Sequence, residues 1–382
     1  MEDLFIKKIR INKVRHLKDI EIPISENQKK HLILTGKNGS GKTSLIEAIK
    51  RIFRNSIMAD SFFGYLQSLK NPNTKQLEQY EKEISLSFSN IEKLIEKYQN
   101  KEFVLACYEA KRQIEMRMPT GPNKDSIRDN YSIDDKPNKE FLQYLVNLRT
   151  QRSYAISEED NNIEKAKKID KWFEVFWKNF KSLFEDENIE LKYDSNNYDF
   201  YFQTKNREKF NFNQLSDGFS SILNMITDII MRMENKKNIG YDLEGLILID
   251  EIETHLHVSL QKKILPFLTG FFPNLQFIVT THSPFVLNSI ENAVVYDLEN
   301  QFLIENLSSY SYDGIVEEFF NTDKYSEIIK AKVKRLESLL DKKDLTEEEK
   351  IEKDSLSKMI ETIPEKLAME LSAMITDLKV PS

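Results

Sequence analysis

Four short apolar runs along the chain predict strands that are buried on both faces. A strand covered on both sides shows an unbroken apolar run, whereas a half-buried strand alternates between apolar and polar residues. The four runs are Leu32–Leu34, Gly245–Ile249, Phe277–Thr281 and Ala293–Tyr296. Strands of this kind belong to parallel sheets with helices on both faces. The pattern therefore predicts an α/β fold built around a parallel sheet.

The N-terminal residues show a different pattern. Leu4–Ile11 and Ile20–Ile24 partly alternate between apolar and polar positions. Such alternation is typical of an antiparallel pair with one covered face. We therefore predict an antiparallel β lobe ahead of the parallel sheet.

Residues 55–204 carry mixed signals and are predicted to form an inserted lobe of strands and helices. The signals are strands at Ile84–Phe88 and Phe103–Cys107, a helical stretch at Glu140–Phe184, and a hairpin at 189–212 that turns at Ser195–Asn197. The helical stretch ends in the aromatic run Trp172–Phe180. We interpret these aromatic residues as core or interface; the alternative is a stacking platform for nucleic acid.

The domain organisation follows from these patterns. Residues 1–54 and 205–308 are predicted to form the two halves of the core, on either side of the inserted lobe. Residues 309–382 are predicted to form a helical appendix, because Gly314 is the only glycine after residue 300.

Three helices are predicted in the appendix. They lie at 324–340, at 347–360 and after Pro364, and Thr346 with Glu349 fits a capping box at the second. An αα-hairpin of this kind suits the docking of a partner or the bracing of the core.

Composition narrows the class of protein. The chain has 382 residues, of which 40% are hydrophobic and 31% charged, as in a globular protein with a sizeable core. Cys107 is the only cysteine, which excludes an intramolecular disulfide and a multi-cysteine zinc site. Apolar runs are too short to span a membrane, and the N-terminus lacks the apolar core of a signal peptide. We expect a cytoplasmic protein without a membrane partner.

The net charge and the distribution of basic residues indicate whether the protein binds nucleic acid. The net charge of −7 argues against a protein that coats DNA constitutively. A local basic cluster lies in the first twenty residues, where Lys7, Lys8, Arg10, Lys13, Arg15 and Lys18 outnumber the acidic side chains. We interpret it as a solvated strand face, and direct DNA contact is the alternative.

The strongest chemical signal is a phosphate-binding loop. Residues 36–43 match the pattern GxxxxGK[ST], after a predicted strand and before the helical run Ser44–Lys50. Backbone N–H groups in such a loop point at anionic oxygens, and the following helix adds its dipole. Lys42 is expected at the β- and γ-phosphates of ATP, and Thr43 at Mg²⁺. The ATP-binding candidates in the loop are Gly36, Lys37, Asn38, Gly39, Ser40, Gly41, Lys42, Thr43 and Ser44.

Two later strands end in polar side chains. Asp250 and Glu251 follow one strand, and His282 ends the next. Strand ends lie at the edge of a sheet where ligands bind, so Asp250 is expected to hold Mg²⁺ opposite Thr43. Glu251 is placed to orient or deprotonate water, and His282 to donate a hydrogen bond to the γ-phosphate. The alternative for the two acidic residues is a helix N-cap.

A second anion site is predicted at the start of a long helix. Ser216 or Asp217 can cap this helix, whose buried face carries Ile222, Leu223, Ile226, Ile229 and Ile230. Ser216, the backbone of Gly218 and the positive end of the helix dipole would form this site. The alternative is a capped helix without an anion.

These four elements together resemble the ABC-type ATPase family. Residues 36–43 match its phosphate loop, LSDGFSS at 215–221 its signature loop, LILIDE at 246–251 its magnesium strand and VTTHS at 279–283 its histidine switch. The N-terminal stretch Ile9–Ile22 and the stretch Asp250–His257 are similar to the RecF/SMC/OLD branch. The resemblance covers residues 1–54 and 205–300.

The resemblance implies a shared ATP site. In this family two subunits face head to tail, and the signature loop of one closes on the ATP held by the other. Ser216, Asp217 and Gly218 would then act in trans, in a homodimer or a higher homo-oligomer. Arg15 matches an early arginine of the family near the nucleotide.

Some features depart from the family pattern. The signature contains LSDGF rather than the LSGGQ of transporters, so no transport role is implied. Gln67, Gln76 and Gln79 compete for the position of the glutamine loop. His255 and His257 resemble the loop that couples the two sites; a metal pair is the alternative.

The resemblance also suggests biological roles. Compact members of this branch, such as the ATPases of Septu and PARIS, serve bacterial anti-phage systems in which the ATPase senses infection or scaffolds a separate nuclease effector. This chain is similar in its complete ATP site, short insert and lack of a nuclease motif after residue 300. One alternative is a RecF-like ATPase of DNA repair or chromosome maintenance that binds DNA directly. Another is a nucleotide-gated scaffold that does not hydrolyse ATP.

Overall fold

The computed structural model divides the chain into two compact units, residues 1–310 and 311–382. We describe each unit by itself. The structure describes residues 3–54, 61–72, 77–78, 81–112, 115–123, 128, 131–157, 161–184, 186–205, 208–234, 242–305, 307, 314–315, 327–342 and 344–361.

The first unit contains three sheets. Their strands are β1 (Ile6–Val14), β2 (Leu17–Pro23), β3 (His31–Thr35), β4 (Ile84–Phe88), β5 (Phe103–Tyr108), β6 (Glu190–Asp194), β7 (Asp199–Gln203), β8 (Phe210–Asn211), β9 (Glu244–Ile249), β10 (Leu275–Thr280), β11 (Ala293–Asp297) and β12 (Phe302–Glu305). The sheets have the strand orders β2-β1-β4, β12-β11-β3-β10-β9-β5 and β6-β7-β8.

The helices of this unit lie between and around the strands. They are α1 (Lys42–Phe53), α2 (Ser61–Lys70), α3 (Ile91–Gln99), α4 (Phe141–Ala155), α5 (Ile163–Lys181), α6 (Asp217–Met233), α7 (Val258–Phe271) and α8 (Pro284–Leu287). Short 3₁₀ helices span Pro137–Glu140 and Phe212–Gln214.

The six-stranded sheet forms the centre of the unit. Its strands are parallel except for β12, which pairs antiparallel with β11 at one edge. Every residue of β3, β9 and β10 is buried, as the unbroken apolar runs predict. The α/β fold class with a parallel sheet is confirmed.

The antiparallel sheet β2-β1-β4 forms the predicted β lobe. Ile9 and Ile11 of β1 are fully buried whereas Arg10 between them is exposed. The alternation therefore places one face of the sheet in the core.

Two strands that we assigned to the inserted lobe belong to the core sheets instead. β4 pairs with β1, placing Ile84 and Leu86 opposite Ile11 and Ile9, and β5 pairs in parallel with β9. The boundary at residue 55 is wrong for these strands, because β4 extends the apolar face of β1 and β5 covers the open edge of β9. The other domain boundaries remain a prediction.

The rest of the insert packs around aromatic side chains. Trp172, Phe176 and Phe180 of α5 are buried, and their rings stack in series with centroids 5.4 and 5.8 Å apart. Phe180 also contacts Phe202 of β7, at a centroid distance of 6.1 Å. The interpretation of these residues as core is confirmed, since buried rings cannot serve as a stacking platform.

Two buried polar side chains join the strands that carry the site. Gln276 of β10 accepts a hydrogen bond from the N–H of Ile6 at 2.7 Å and donates to its carbonyl at 3.1 Å, which links the six-stranded sheet to the sheet β2-β1-β4. The N–H of Phe277 donates to Nδ1 of His31 at 3.1 Å, which links β10 to β3. Burial lowers the pKa of His31 to about 4, so the imidazole is neutral and Nδ1 is free to accept.

The second unit contains α9 (Glu327–Leu340) and α10 (Glu347–Glu361). The predicted capping box is confirmed: the N–H of Glu349 donates to Oγ1 of Thr346 at 3.3 Å, and the N–H of Thr346 donates to Oε2 of Glu349 at 3.0 Å. An exposed ion pair of Arg335 and Glu352 joins the two helices. The third predicted helix, after Pro364, lies outside the described residues. Within the described chain, each helix is too short or too polar to cross a membrane.

Candidate active site

The phosphate loop connects the end of β3 to the start of α1. Gly36, Gly39 and Gly41 have φ angles of +131°, +86° and +100°, a backbone region that residues other than glycine rarely adopt. At Gly36 a Cβ would also lie 2.9 Å from Oγ of Ser40. The three glycines therefore allow the backbone to curl into the concave shape that presents N–H groups to anions.

Lys42 lies across the mouth of this loop. Its side chain is buried, and Nζ donates hydrogen bonds to the carbonyl oxygens of Gly36 at 2.7 Å and Lys37 at 3.1 Å. Burial lowers the pKa of Lys42, while the nearby carboxylates of Glu251 and Asp250 oppose the shift. The ammonium group is therefore held at the loop, next to the acidic end of β9.

Thr43 and Asp250 meet as the sequence predicts. Oγ1 of Thr43 donates to Oδ2 of Asp250 at 2.9 Å, and Oγ1 of Thr280 donates to Oδ1 at 2.7 Å. Asp250 is buried and Thr43 is exposed, so the pair lies at the boundary of the cleft. Hydroxyl and carboxylate oxygens are ligands that Mg²⁺ prefers. The donor set therefore fits a magnesium ion.

Glu251 occupies a strained turn directly after β9. Its φ angle is +46°, in the left-handed region, and its N–H donates to Oγ1 of Thr280 at 2.7 Å. Its Oε2 accepts a hydrogen bond from Oγ1 of Thr254 at 3.1 Å. Strain of this kind persists where the surroundings determine the conformation, and it is common at active sites.

His282 follows β10, the strand next to β9. Its N–H donates to Oε1 of Glu253 at 2.6 Å, which fixes the histidine relative to the acidic turn. Burial and the charge of Lys42 lower the pKa of His282 below its usual value. The imidazole is therefore neutral near pH 7, in the form that has one N–H to donate and one nitrogen to accept.

A single cleft of about 230 Å³ brings these groups together. Its lining residues are Arg15, His16, Asn38, Gly39, Gly41, Lys42, Thr43, Ser44, Glu251 and His282. The structure thus gathers the phosphate loop, the proposed base and the histidine from three separate strand ends. Arg15 also reaches this cleft, from the turn between β1 and β2, where its φ angle is +53°.

His16 is a cleft residue that the sequence analysis missed. Its Nε2 lies 3.2 Å from the carbonyl oxygen of Ser40 in the phosphate loop. No motif marks it, because its position depends on how the β1–β2 turn folds against the loop.

The signature residues lie elsewhere on the molecule. Ser216 is the N-cap residue of α6 and lines a different cleft, of about 1010 Å³, rather than the cleft of Lys42. Ser216 and Asp217 are exposed, whereas Gly218 is buried and a Cβ there would lie 3.0 Å from the carbonyl oxygen of His255. Within one copy, the structure therefore does not bring Ser216 to Lys42.

Helix α6 differs from the prediction in one detail. Ser216 occupies the N-cap position, but its hydroxyl makes no capping hydrogen bond within the described residues. The predicted side-chain cap is therefore wrong for Ser216. The predicted buried face is confirmed. Its members Ile222, Leu223, Ile226, Ile229 and Ile230 are 0–1% exposed.

The two coupling-loop histidines have structural roles. His257 is the N-cap residue of α7, and its Nδ1 accepts a hydrogen bond from the N–H of Ser259 at 3.4 Å. His255 has a φ angle of +66°, and its carbonyl oxygen is the atom that a Cβ at Gly218 would approach. The interpretation of both histidines as part of a coupling loop remains a prediction.

The glutamine loop stays unassigned. Gln67 lies within α2 and is not among the residues that line the cleft of Lys42. Gln76 and Gln79 lie outside the described residues.

Arg112 is the second residue that the sequence analysis missed. Its side chain is buried, and Nη2 donates to the carbonyl oxygens of Asp250, at 2.8 Å, and Glu251. Burial lowers the pKa of Arg112 to about 10, so the guanidinium remains charged at neutral pH. A lone arginine after a strand carries no signal of this contact, which depends on the pairing of β5 with β9.

Residues 68–288, more than half of the chain, match the family described as "AAA domain, putative AbiEii toxin, Type IV TA system". The chain belongs to this AAA family. The matched segment contains the signature loop, Asp250–Glu251 and His282, whereas the phosphate loop precedes it.

Curated relatives of this AAA protein come from bacteria. Septu protein PtuA of Bacillus mycoides (strain KBAB4) is 28% identical over 313 residues, which cover 78% of this chain and 41% of that protein. Septu protein PtuA of Bacillus thuringiensis is 26% identical over 315 residues, which cover 75% of this chain and 74% of that protein. "Retron Ec83 probable ATPase" of Escherichia coli is 43% identical over 99 residues, or 25% of this chain and 18% of that protein.

The chain therefore spans less than half the length of the Bacillus mycoides relative. Family membership and these relatives confirm the predicted class, an ABC-type ATPase.

Proposed function

We propose that this AAA protein is a Mg²⁺-dependent ATPase whose ATP-driven pairing controls a separate effector, a nuclease, in bacterial anti-phage defence. One observation carries the proposal. Each copy gathers phosphate-loop residues, Thr43 and the candidate base Glu251 in one cleft, with the buried Asp250 bonded to Thr43, while its signature residues Ser216 and Asp217 are exposed elsewhere. Two copies in head-to-tail contact would complete both sites.

The chemistry follows from the residues of the cleft. Loop N–H groups and Lys42 bind the phosphates of ATP, and Thr43 with Asp250 holds Mg²⁺. When bound, the ion supplies positive charge that neutralises the phosphate oxygens. Glu251 accepts a proton from the attacking water, and neutral His282 donates a hydrogen bond to the γ-phosphate.

Two features support a shared site. Ser216 is exposed at the positive end of α6, where a helix terminus favours an anion. Gly218 allows α6 to pack against the backbone of His255, since a side chain there would require that backbone to shift. The signature serine is thus presented from a helix fixed to the loop that follows Glu251.

The link to defence rests on the relatives. Two of them are named Septu protein PtuA. Septu is one of the systems in which the ATPases that this chain resembles work with a nuclease effector. The helices of the second unit offer a docking element for such a partner, as predicted for an αα-hairpin.

A second candidate function is direct DNA binding, as in a RecF-like ATPase. Lys13 and Lys18 are both exposed and face each other across the β1–β2 hairpin, beside Arg15 in the ATP cleft. A basic hairpin next to the nucleotide favours contact with a phosphate backbone. It predicts salt-sensitive DNA binding that strengthens with ATP.

Co-expression with the neighbouring genes tests the proposal. We expect a nuclease to co-purify with the tagged chain, and phage infection to be restricted only when both proteins are intact. The Glu291→Gln variant serves as a control and should restrict infection as wild type does, since this carboxylate is exposed and does not line the ATP cleft. The defence proposal fails if no nuclease co-purifies and none is encoded nearby. Salt-sensitive binding of duplex DNA by the chain alone would favour the second candidate.

A further inference from the structure

The turn that carries Glu251 needs external support. Glu251 is a non-glycine residue with a φ angle of +46°, a conformation that costs free energy for a residue with a Cβ. The side chain of the proposed base projects from this turn. Any relaxation of the backbone at Glu251 would therefore move its carboxylate relative to the cleft.

Arg112 supplies this support from beneath the turn. Its guanidinium donates to the carbonyl oxygens of Asp250 and Glu251, and Nη1 lies 3.5 Å from the carbonyl oxygen of Ile252. Nε donates to the carbonyl oxygen of Glu109 at 2.8 Å, which anchors the arginine to the end of β5. Three consecutive carbonyls thus converge on one planar cation.

The same side chain contacts the signature helix. Nη1 of Arg112 lies 3.4 Å from Sδ of Met225, a fully buried residue of α6. Helix α6 begins next to Ser216. Arg112 therefore touches both the turn of the proposed base and the helix that presents the signature serine.

We propose that Arg112 is a positioning residue that holds Glu251 in its hydrolytic geometry. This inference rests on the proposed function, because Glu251 must be the base for its position to matter. An arginine suits the task because its fixed fork of donors matches several carbonyls at once, whereas a lysine is a point charge on a flexible stem. Arg112 itself does not line the cleft, so it acts through the backbone of Glu251.

Kinetics of Arg112→Lys and Arg112→Gln test the proposal. We expect kcat to fall about 10- to 100-fold, the scale of a misplaced catalytic group, while KM and the Kd for ATP stay within about twofold. Arg232→Lys is the matched control. The side chain of Arg232 in α6 is 4% exposed and pairs with Asp228. It donates to the carbonyls of Leu105, Ser132 and Asp135 and does not line the cleft. The Arg232→Lys variant should have a lower Tm than wild type, while its kcat, measured well below Tm, should stay within about twofold of the wild-type value.

A double variant separates positioning from general stability. If Arg112 acts through Glu251, adding Arg112→Lys to Glu251→Gln should change the residual rate by less than about twofold, because the base is already lost. The proposal is overturned if Arg112→Lys keeps the wild-type kcat, or if its full effect persists in the Glu251→Gln background.

Amide hydrogen exchange keeps the test independent of hydrolysis. We expect the amides of residues 250–254 to exchange faster in both Arg112 variants than in wild type and in Arg232→Lys. Unchanged exchange there would overturn the inference even if the variants were inactive. If wild type itself does not hydrolyse ATP, the proposed function fails, while faster exchange would still show that Arg112 holds the turn.

Discussion

Lys42→Ala is expected to reduce ATP hydrolysis by at least about 10²- to 10³-fold and to weaken ATP binding strongly. The ammonium group is buried and bonded to the carbonyls of Gly36 and Lys37, so it is fixed at the place where the phosphates bind. Alanine removes the one cation of the loop that is held in this way. Phosphate release and the binding of a fluorescent ATP analogue measure the two effects.

Lys37→Ala provides a matched control on the same loop. Its side chain is 79% exposed and pairs with Glu299 at the rim. An exposed pair contributes little, so hydrolysis should stay within about threefold of wild type. Equal losses in the two variants would mean that the overall charge of the loop matters rather than the position of Lys42.

Glu251→Gln is expected to lower kcat by about 10²- to 10⁴-fold while ATP binding is retained. Glutamine keeps the shape of the side chain and its bond with Thr254 but cannot accept a proton from water. ATP should therefore remain bound and trap the paired copies. Phosphate release measures the rate, and size-exclusion chromatography with ATP measures the trapped dimer.

Glu291→Gln is the control for this substitution, because Glu291 is exposed in the turn before β11. It should behave as wild type in both assays. A scaffold that does not hydrolyse ATP predicts a different result, in which Glu251→Gln leaves the ATP-dependent dimer and its lifetime unchanged.

Much of the site could be predicted because its residues are adjacent in sequence to strong local signals. Lys42 and Thr43 follow a glycine pattern, and Asp250 and His282 directly follow apolar runs of buried strands. The carboxyl ends of parallel strands meet at one edge of a sheet, so their proximity follows from the fold class.

Other features could not be predicted because they depend on pairing between distant segments. β5 lies beside β9 although about 140 residues separate them, and an apolar run does not specify its neighbour. The same pairing brings Arg112 under Asp250 and Glu251. His16 likewise reaches Ser40 through the fold of a turn that has no glycine or proline to mark it.

In the proposed function, the position of the signature loop makes a single copy incomplete. Ser216 is exposed on a cleft that does not contain Lys42, so its contribution to ATP requires a second copy. Ser216→Arg should block that contact without disturbing the core, because an exposed N-cap position tolerates a larger side chain. This variant alone should be inactive in hydrolysis.

Mixing two inactive variants tests the shared site most directly. In a head-to-tail pair of one Lys42→Ala copy and one Ser216→Arg copy, one site carries both substitutions and the other carries neither. Random pairing makes half of the dimers mixed, so the mixture should regain about a quarter of the wild-type hydrolysis rate. If the copies exchange and no activity returns, or if Ser216→Arg alone hydrolyses ATP at the wild-type rate, ATP is not held between two copies.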